Sequence, residues 1–337
     1  MKDTLIVTQH PSLGGGTESI RSKIDTKDVD FFYETDSPLK ILKHLFDRNV
    51  PKGYKNYLVM GGVCLGGYSF LKSDVPYTIW CASTVWDEWK TLKPNIFDNG
   101  LIRTGLYYFN TMTMPFTRMV EQAVLERAKM IYATSNYSKK KIIEEYNIPE
   151  YRIRIAHPPI KFYREKVVYK KGNYLIFVGR IDKRKNLKML IEVMNHMPDK
   201  HLVIVGRGDH GALIKQQKFD NVKYTGEISE KEKMQLIKNA EAMVIVSNQE
   251  GFCISIAEAM EQGCPVISTR CGGPEDLIDH DKSGYLVDKE DVTDMMRKIR
   301  LLKQFPSIRN KFIINSRKKI KEMCCYKNTV ARVLDGR

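Results

Sequence analysis

The chain has 337 residues, 42% of them hydrophobic, and sets 55 Lys and Arg against 40 Asp and Glu, a net charge of +15. That length accommodates roughly two domains of about 100–200 residues each, and the charge favours phosphate-bearing partners: nucleotides, nucleic acid or an anionic membrane face. No apolar run approaches the ~18 residues of a membrane span, the amino terminus lacks a signal-peptide pattern, and seven cysteines without paired CxxC spacing argue for reduced thiols in a cytoplasmic protein rather than a disulfide framework.

In chain order, residues 3–8 read as a strand, followed by a loop with three consecutive glycines, Gly14, Gly15 and Gly16. Such a run lets backbone approach a ligand closely, and flexible loops look the same. Residues 23–34 are charged. Apolar runs then recur at 57–60, 77–82, 129–134 and 152–156, with helical stretches at 118–128 and 139–146 between them. Strands alternating with helices predict a parallel, doubly wound sheet. His157–Pro158–Pro159 breaks the pattern, and 161–172 is basic and aperiodic.

The alternation restarts in the second half, with strands expected at 174–178, 201–205, 222–225, 242–246, 265–268 and 285–287. A helix is expected over 187–194. Ser229 and Glu232 have capping-box spacing, and from about 292 the chain reads as mostly helix. Two alternating halves imply an α/β chain of two facing Rossmann-like domains, 1–165 and 166–310, with a cleft between them and C-terminal helices over 311–337 expected to pack back on the first domain.

The most informative stretch is 247–274. It follows a buried-strand pattern, turns through Gly251 and resumes at helical spacing with Ile254, Ala257, Glu258 and Met260. Gly263 and Pro265 mark its end. A helix amino terminus at the carboxyl end of a parallel strand is where anionic ligands bind. Glu250 and Glu258 bracket that turn.

These residues carry a resemblance. Gly179–Arg180 with Lys185–Asn186 resembles a GR-x4-KN element, and Val205–Gly206–Arg207–Gly208 a VG-x-G turn. The run from Glu250 to Met260 is similar to an EGFG-x4-EAM signature, Gly263–Cys264–Pro265–Val266–Ile267 resembles G-x-PVI, and Gly272–Gly273–Pro274–Glu275 follows. Together they resemble the retaining glycosyltransferases of the glycogen-synthase-like GT-B group, glycosyltransferase family 4. The first half matches less tightly. Its support is the glycine loop, Ala133–Thr134–Ser135, and His157–Pro158–Pro159 where the family often has a proline-asparagine-glycine turn. Where the family often carries an acceptor-side histidine, this chain reads Ala82–Ser83–Thr84–Val85–Trp86–Asp87–Glu88.

The resemblance implies a hexosyl transfer from a UDP-, GDP- or ADP-sugar with retention, the leaving phosphate helping to deprotonate the acceptor. It gives Arg180 and Lys185 the diphosphate, Glu250 the donor-sugar hydroxyls and Glu258 the ribose. Gly14, Gly15, Gly16, Gly206, Gly251, Phe252, Cys253 and Ile254 complete the donor pocket, with Thr225 and Ile228 toward the base. Cys253 stands where the family usually has glycine. Asp28–Val29–Asp30 has the DxD form that holds a metal in other sugar transferases, but GT-B enzymes do not usually need one, so it reads as a solvated turn and no metal or cofactor is expected. The acceptor is a glycan, lipid-linked or protein hydroxyl, and nucleic acid is disfavoured. The segment 101–119, with Tyr107, Tyr108, Phe109, Met112, Met114 and Phe116 beside Arg103 and Arg118, fits an acceptor flap or peripheral membrane contact as well as it fits core. Two other readings stay open: an epimerase or phosphorylase of the same fold, and a non-catalytic basic module binding nucleotides or anionic surfaces.

Overall fold

In the computed structural model the described residues are 3–9, 29–34, 50–61, 67, 68, 70, 71, 73–90, 112, 114–163, 172–208, 211–325 and 333. The chain divides into two compact units: Met1–Pro159 with Tyr326–Arg337, and Ile160–Cys325. The glycines at 14–16 and most of the segment 101–119 lie outside the described residues.

The first unit is a parallel sheet of β1 (Thr4–Gln9), β2 (Val29–Glu34), β3 (Asn56–Gly61), β4 (Thr78–Cys81), β5 (Met130–Ala133) and β6 (Ile153–Ile155), in the order β2-β1-β3-β4-β5-β6. β2 corrects the reading of Asp28–Val29–Asp30 as a solvated turn. Val29 is buried and pairs with Thr4, and the Asp30 carboxylate accepts the Tyr54 hydroxyl at 3.0 Å. The Phe-Phe-Tyr run after Asp30 suits a pleated surface, and that outweighs the flanking charge. Asp28 itself is outside the described residues.

The helix Asn136–Tyr146 starts at Ser135, whose side chain accepts from the Ser138 amide, and stops at Asn147 in the left-handed region, φ 57°. Both are the residue types those positions favour.

The second unit holds β7 (Tyr174–Val178), β8 (His201–Val205), β9 (Val222–Gly226), β10 (Ala242–Ile245), β11 (Val266–Thr269) and β12 (Tyr285–Val287), all parallel, in the order β12-β11-β10-β7-β8-β9. Leu175, Ile176, Phe177, Val244, Ile245, Val266 and Ile267 are at most 1% exposed. That continuous apolar reading is what a parallel strand covered on both faces requires. The strand order reverses between β7 and β10, so the loops leaving these neighbours diverge and open a crevice at their carboxyl ends. Helix Pro306–Met323 packs within this unit against helices Ile254–Glu261 and Val292–Gln304. Phe312 meets the Tyr285 ring edge-on at 4.8 Å.

Candidate active site

The loops after β7 and β10 are tied to each other at the crevice. The Asn248 amide donates to the Arg184 carbonyl at 2.8 Å, and Arg184 Nη1 donates to Gln249 Oε1 at 3.1 Å. At the centre, Lys185 Nζ and the Ser247 hydroxyl both donate to Glu250 Oε1, the latter at 2.7 Å. The two charged side chains are 12% and 6% exposed. Burial alone pushes the Glu250 carboxyl upward, but the Lys185 and Arg184 charges, with hydrogen bonds from Lys185 and Ser247, outweigh it and hold the group below its ordinary value. Glu250 is therefore a buried, ionised carboxylate. The loop after β11 fixes its backbone: its amide donates to Cys271 at 2.8 Å, and its carbonyl accepts the Gly273 amide at 2.7 Å.

Arg180 is half exposed, with Nε 3.7 Å from Asp182 Oδ2. Asp182 also caps the short turn Lys183–Lys185 by accepting the Lys185 amide. Gly206 explains why this loop sits where it does. It adopts φ +140°, and a Cβ there would stand 1.9 Å from the Gly179 carbonyl oxygen. Only glycine lets the turn after β8 come so close.

Helix Ile254–Glu261 begins beside Glu250 with no side chain capping its first turn. Such an end presents amide groups and the positive end of the helix dipole. Gly251 and Phe252 are buried in the preceding turn, and Ile254 packs partly against the core. Cys253 adopts φ 72°, a left-handed conformation that costs an L-residue roughly 1–2 kcal/mol. Its thiol is buried, 3.4 Å from the Ser255 hydroxyl. Burial, then the Glu250 charge, push it up to about 12, so it is a neutral thiol and a poor nucleophile. Glu258 lies one turn into the helix, 4% exposed, its Oε2 accepting Lys233 Nζ at 2.9 Å. Thr225, at the end of β9, donates its hydroxyl to the Gly226 carbonyl at 3.0 Å, and Ile228 packs partly against the core.

Lys185, Glu250, Cys253 and the helix start thus form one cluster, while Arg180 flanks it from the same loop. Arg184, Ser247 and Lys233 were missed by the sequence reading. Ser247 had a signal, standing in the same loop three residues before Glu250. In the first unit, the 82–88 stretch turns into helix Val85–Lys90. There Asp87, 6% exposed, accepts the Tyr137 hydroxyl at 2.8 Å on both oxygens. Among the described residues no group of three or more His, Cys, Asp or Glu is arranged to hold a metal ion.

Residues 160–319 match the glycosyl transferases group 1 family. The second unit is a group 1 glycosyltransferase domain. Curated relatives include the sulfoquinovosyl transferase SQD2 of Arabidopsis thaliana, 32% identical over 133 residues, which are 38% of this chain and 26% of that protein. The human alpha-1,3/1,6-mannosyltransferase ALG2 is 24% identical over 170 residues, 44% of this chain and 41% of that one. The chain thus spans less than half the length of these two relatives. Among solved structures, the sucrose-phosphate synthase from Thermosynechococcus elongatus superposes with a TM-score of 0.73 at 16% identity, covering 97% of this chain and 96% of that one. Anabaena HepE in complex with UDP-glucose gives 0.70 at 14% identity, covering 99% and 97%. Two parallel six-stranded sheets with this likeness make the fold GT-B. Among the described residues no helix is long and apolar enough to cross a membrane.

Proposed function

We infer that the protein is a glycosyltransferase that moves a hexose from a nucleoside-diphosphate donor, linked to uridine, guanosine or adenosine, to an acceptor hydroxyl with retention. The observation that carries this is the buried Lys185–Glu250 pair at the β7/β10 crevice, beside an uncapped helix start. In this reading Glu250 accepts from the donor-sugar hydroxyls. Lys185, held against Glu250, shares its remaining N–H groups with the leaving phosphate, Arg180 adds its planar fork, and the helix amides meet the same anion. The developing diphosphate charge is met by fixed donors, and no metal takes part. Glu258 accepts from the ribose, and Thr225 to Ile228 border the base.

The leaving phosphate takes the acceptor proton on the face it departs from, so no protein nucleophile is required. The acceptor, a glycan, lipid-linked or protein hydroxyl, is assigned to the first unit. Its working place is the cytoplasm, with peripheral contact to an anionic membrane as part of the same reading.

A thermal-shift screen with UDP, GDP and ADP tests the proposal, since a ligand that binds only the folded state raises the melting temperature. One of the three is expected to do so, and silence from all three refutes it. Roles separate by titration: Glu258→Ala weakens binding of that diphosphate by about tenfold or more, the loss of a buried hydrogen bond to a charged group. Glu250→Ala leaves diphosphate binding within a few-fold and removes transfer.

A further inference from the structure

The Glu258 carboxylate reaches a partner on a neighbouring helix. Its Oε2 is bound by Lys233 Nζ at 2.9 Å, from the neighbouring helix Glu230–Asn239. The placement follows from local sequence. Ser229 and Glu232 form a capping box that fixes where this helix starts, which puts Lys233 in its first turns, on the carboxyl side of the sheet. Glu258 occupies the equivalent turn of helix Ile254–Glu261. The same ammonium lies 2.7 Å from Glu230 Oε2, so one lysine spans two carboxylates.

The two partners are unequal. Glu230 is 59% exposed, and a surface pair at this spacing contributes little because water screens it. Glu258 is 5% exposed at its side chain and Lys233 16%. A carboxylate withdrawn from water to that degree needs a counter-charge. Burial pulls the Lys233 ammonium down, but Glu258 first and Glu230 after it outweigh that and hold the group above its usual range. Tyr163 completes the surroundings: its phenol is raised by burial and by the Glu230 and Glu258 charges, and its amide donates to Glu261 at 3.0 Å, one turn beyond Glu258.

We propose that Lys233 is a positioning residue of the nucleoside subsite: by committing Oε2 it fixes the Glu258 carboxylate in one plane and rotamer, so that the ribose 2′- and 3′-hydroxyls meet an acceptor set in advance. Preorganisation of this kind raises affinity by removing an ordering cost from the binding step. The inference rests on the donor reading above. It adds a residue that touches no ligand, and the ribose-specific part of affinity depends on it.

The test is isothermal titration of the full chain with the diphosphate selected by the screen and with its 2′-deoxy counterpart, in the wild type, Lys233→Met, Lys233→Gln and Lys233→Arg. The wild type is expected to prefer the ribonucleotide by about tenfold, the worth of one such hydrogen bond. Methionine keeps an unbranched apolar stem without the charge, and glutamine keeps a polar end if methionine fails to fold. Either should collapse the preference to within about twofold, and arginine should restore most of it. A purely structural lysine would lower both affinities together and leave their ratio intact, and an unchanged ratio in Met or Gln overturns the inference. A wild type that binds the diphosphate without preferring the ribonucleotide overturns the ribose role of Glu258 itself.

Discussion

Replacing Glu250 by glutamine isolates the charge at the centre of the crevice. The amide keeps an acceptor oxygen for Ser247 and Lys185 but leaves the Lys185 ammonium, 12% exposed, without its counter-charge. Removing one partner of a buried pair costs about 3–5 kcal/mol. The retained acceptor and the residual exposure of Lys185 place the expected loss lower, at about 2–3 kcal/mol. For a domain of this size that corresponds to a fall in Tm of roughly 4–12 °C. The assay is thermal unfolding of wild type and Glu250→Gln from pH 8 down to about pH 3.5. Because the folded carboxyl lies below its ordinary value of 4.5, its stabilisation is fully present above that value. It is lost as pH falls through the folded pKa. The gap between the two proteins should therefore stay constant from neutral pH to about 4.5 and close below it. A gap under about 2 °C at pH 7 would refute the reasoning, as would one that narrows between pH 7 and 6, where the carboxylate does not titrate.

Two further expectations concern the scaffold. Gly206→Ala drives a Cβ to 1.9 Å from the Gly179 oxygen; we expect a loss on the order of 2–4 kcal/mol in urea unfolding, and a change below ~0.5 kcal/mol would show that the close approach is not required. Lys200 and Glu241, 3% and 8% exposed, pair at 2.6 Å; Lys200→Met should cost about 3–5 kcal/mol, and Lys200→Met with Glu241→Leu should recover most of it, so a double variant no better than the single one rules this account out.

How much of this was legible in the sequence follows from which forces are local. The strands of the second unit read directly because burial on both faces demands unbroken apolar runs. The capping box at Ser229 read directly because its partners are three residues apart. β2 did not, because Asp30 and Glu34, with Asp28 just before the strand, outweigh its aromatic run in any reading by charge. Its strand character becomes plain only beside β1. The left-handed turn at Cys253 was equally hidden: a glycine there would have announced a positive φ, and a cysteine does not.

The Lys185–Glu250 pair shows the limit most clearly. Each residue stood out by its motif, and each was assigned to a different part of the donor. Nothing in two positions 65 residues apart says that one oxygen receives the other's ammonium. The sheet order decides that, because placing β7 beside β10 brings both loops to one crevice. The consequence is chemical as well as geometric. A lysine already neutralised by a buried carboxylate attracts a diphosphate less than an isolated one would, so the charge bill of the leaving group shifts toward Arg180 and the helix start. Arg180 should therefore matter more to diphosphate affinity than Lys185, although both stand in the same loop and carry the same charge.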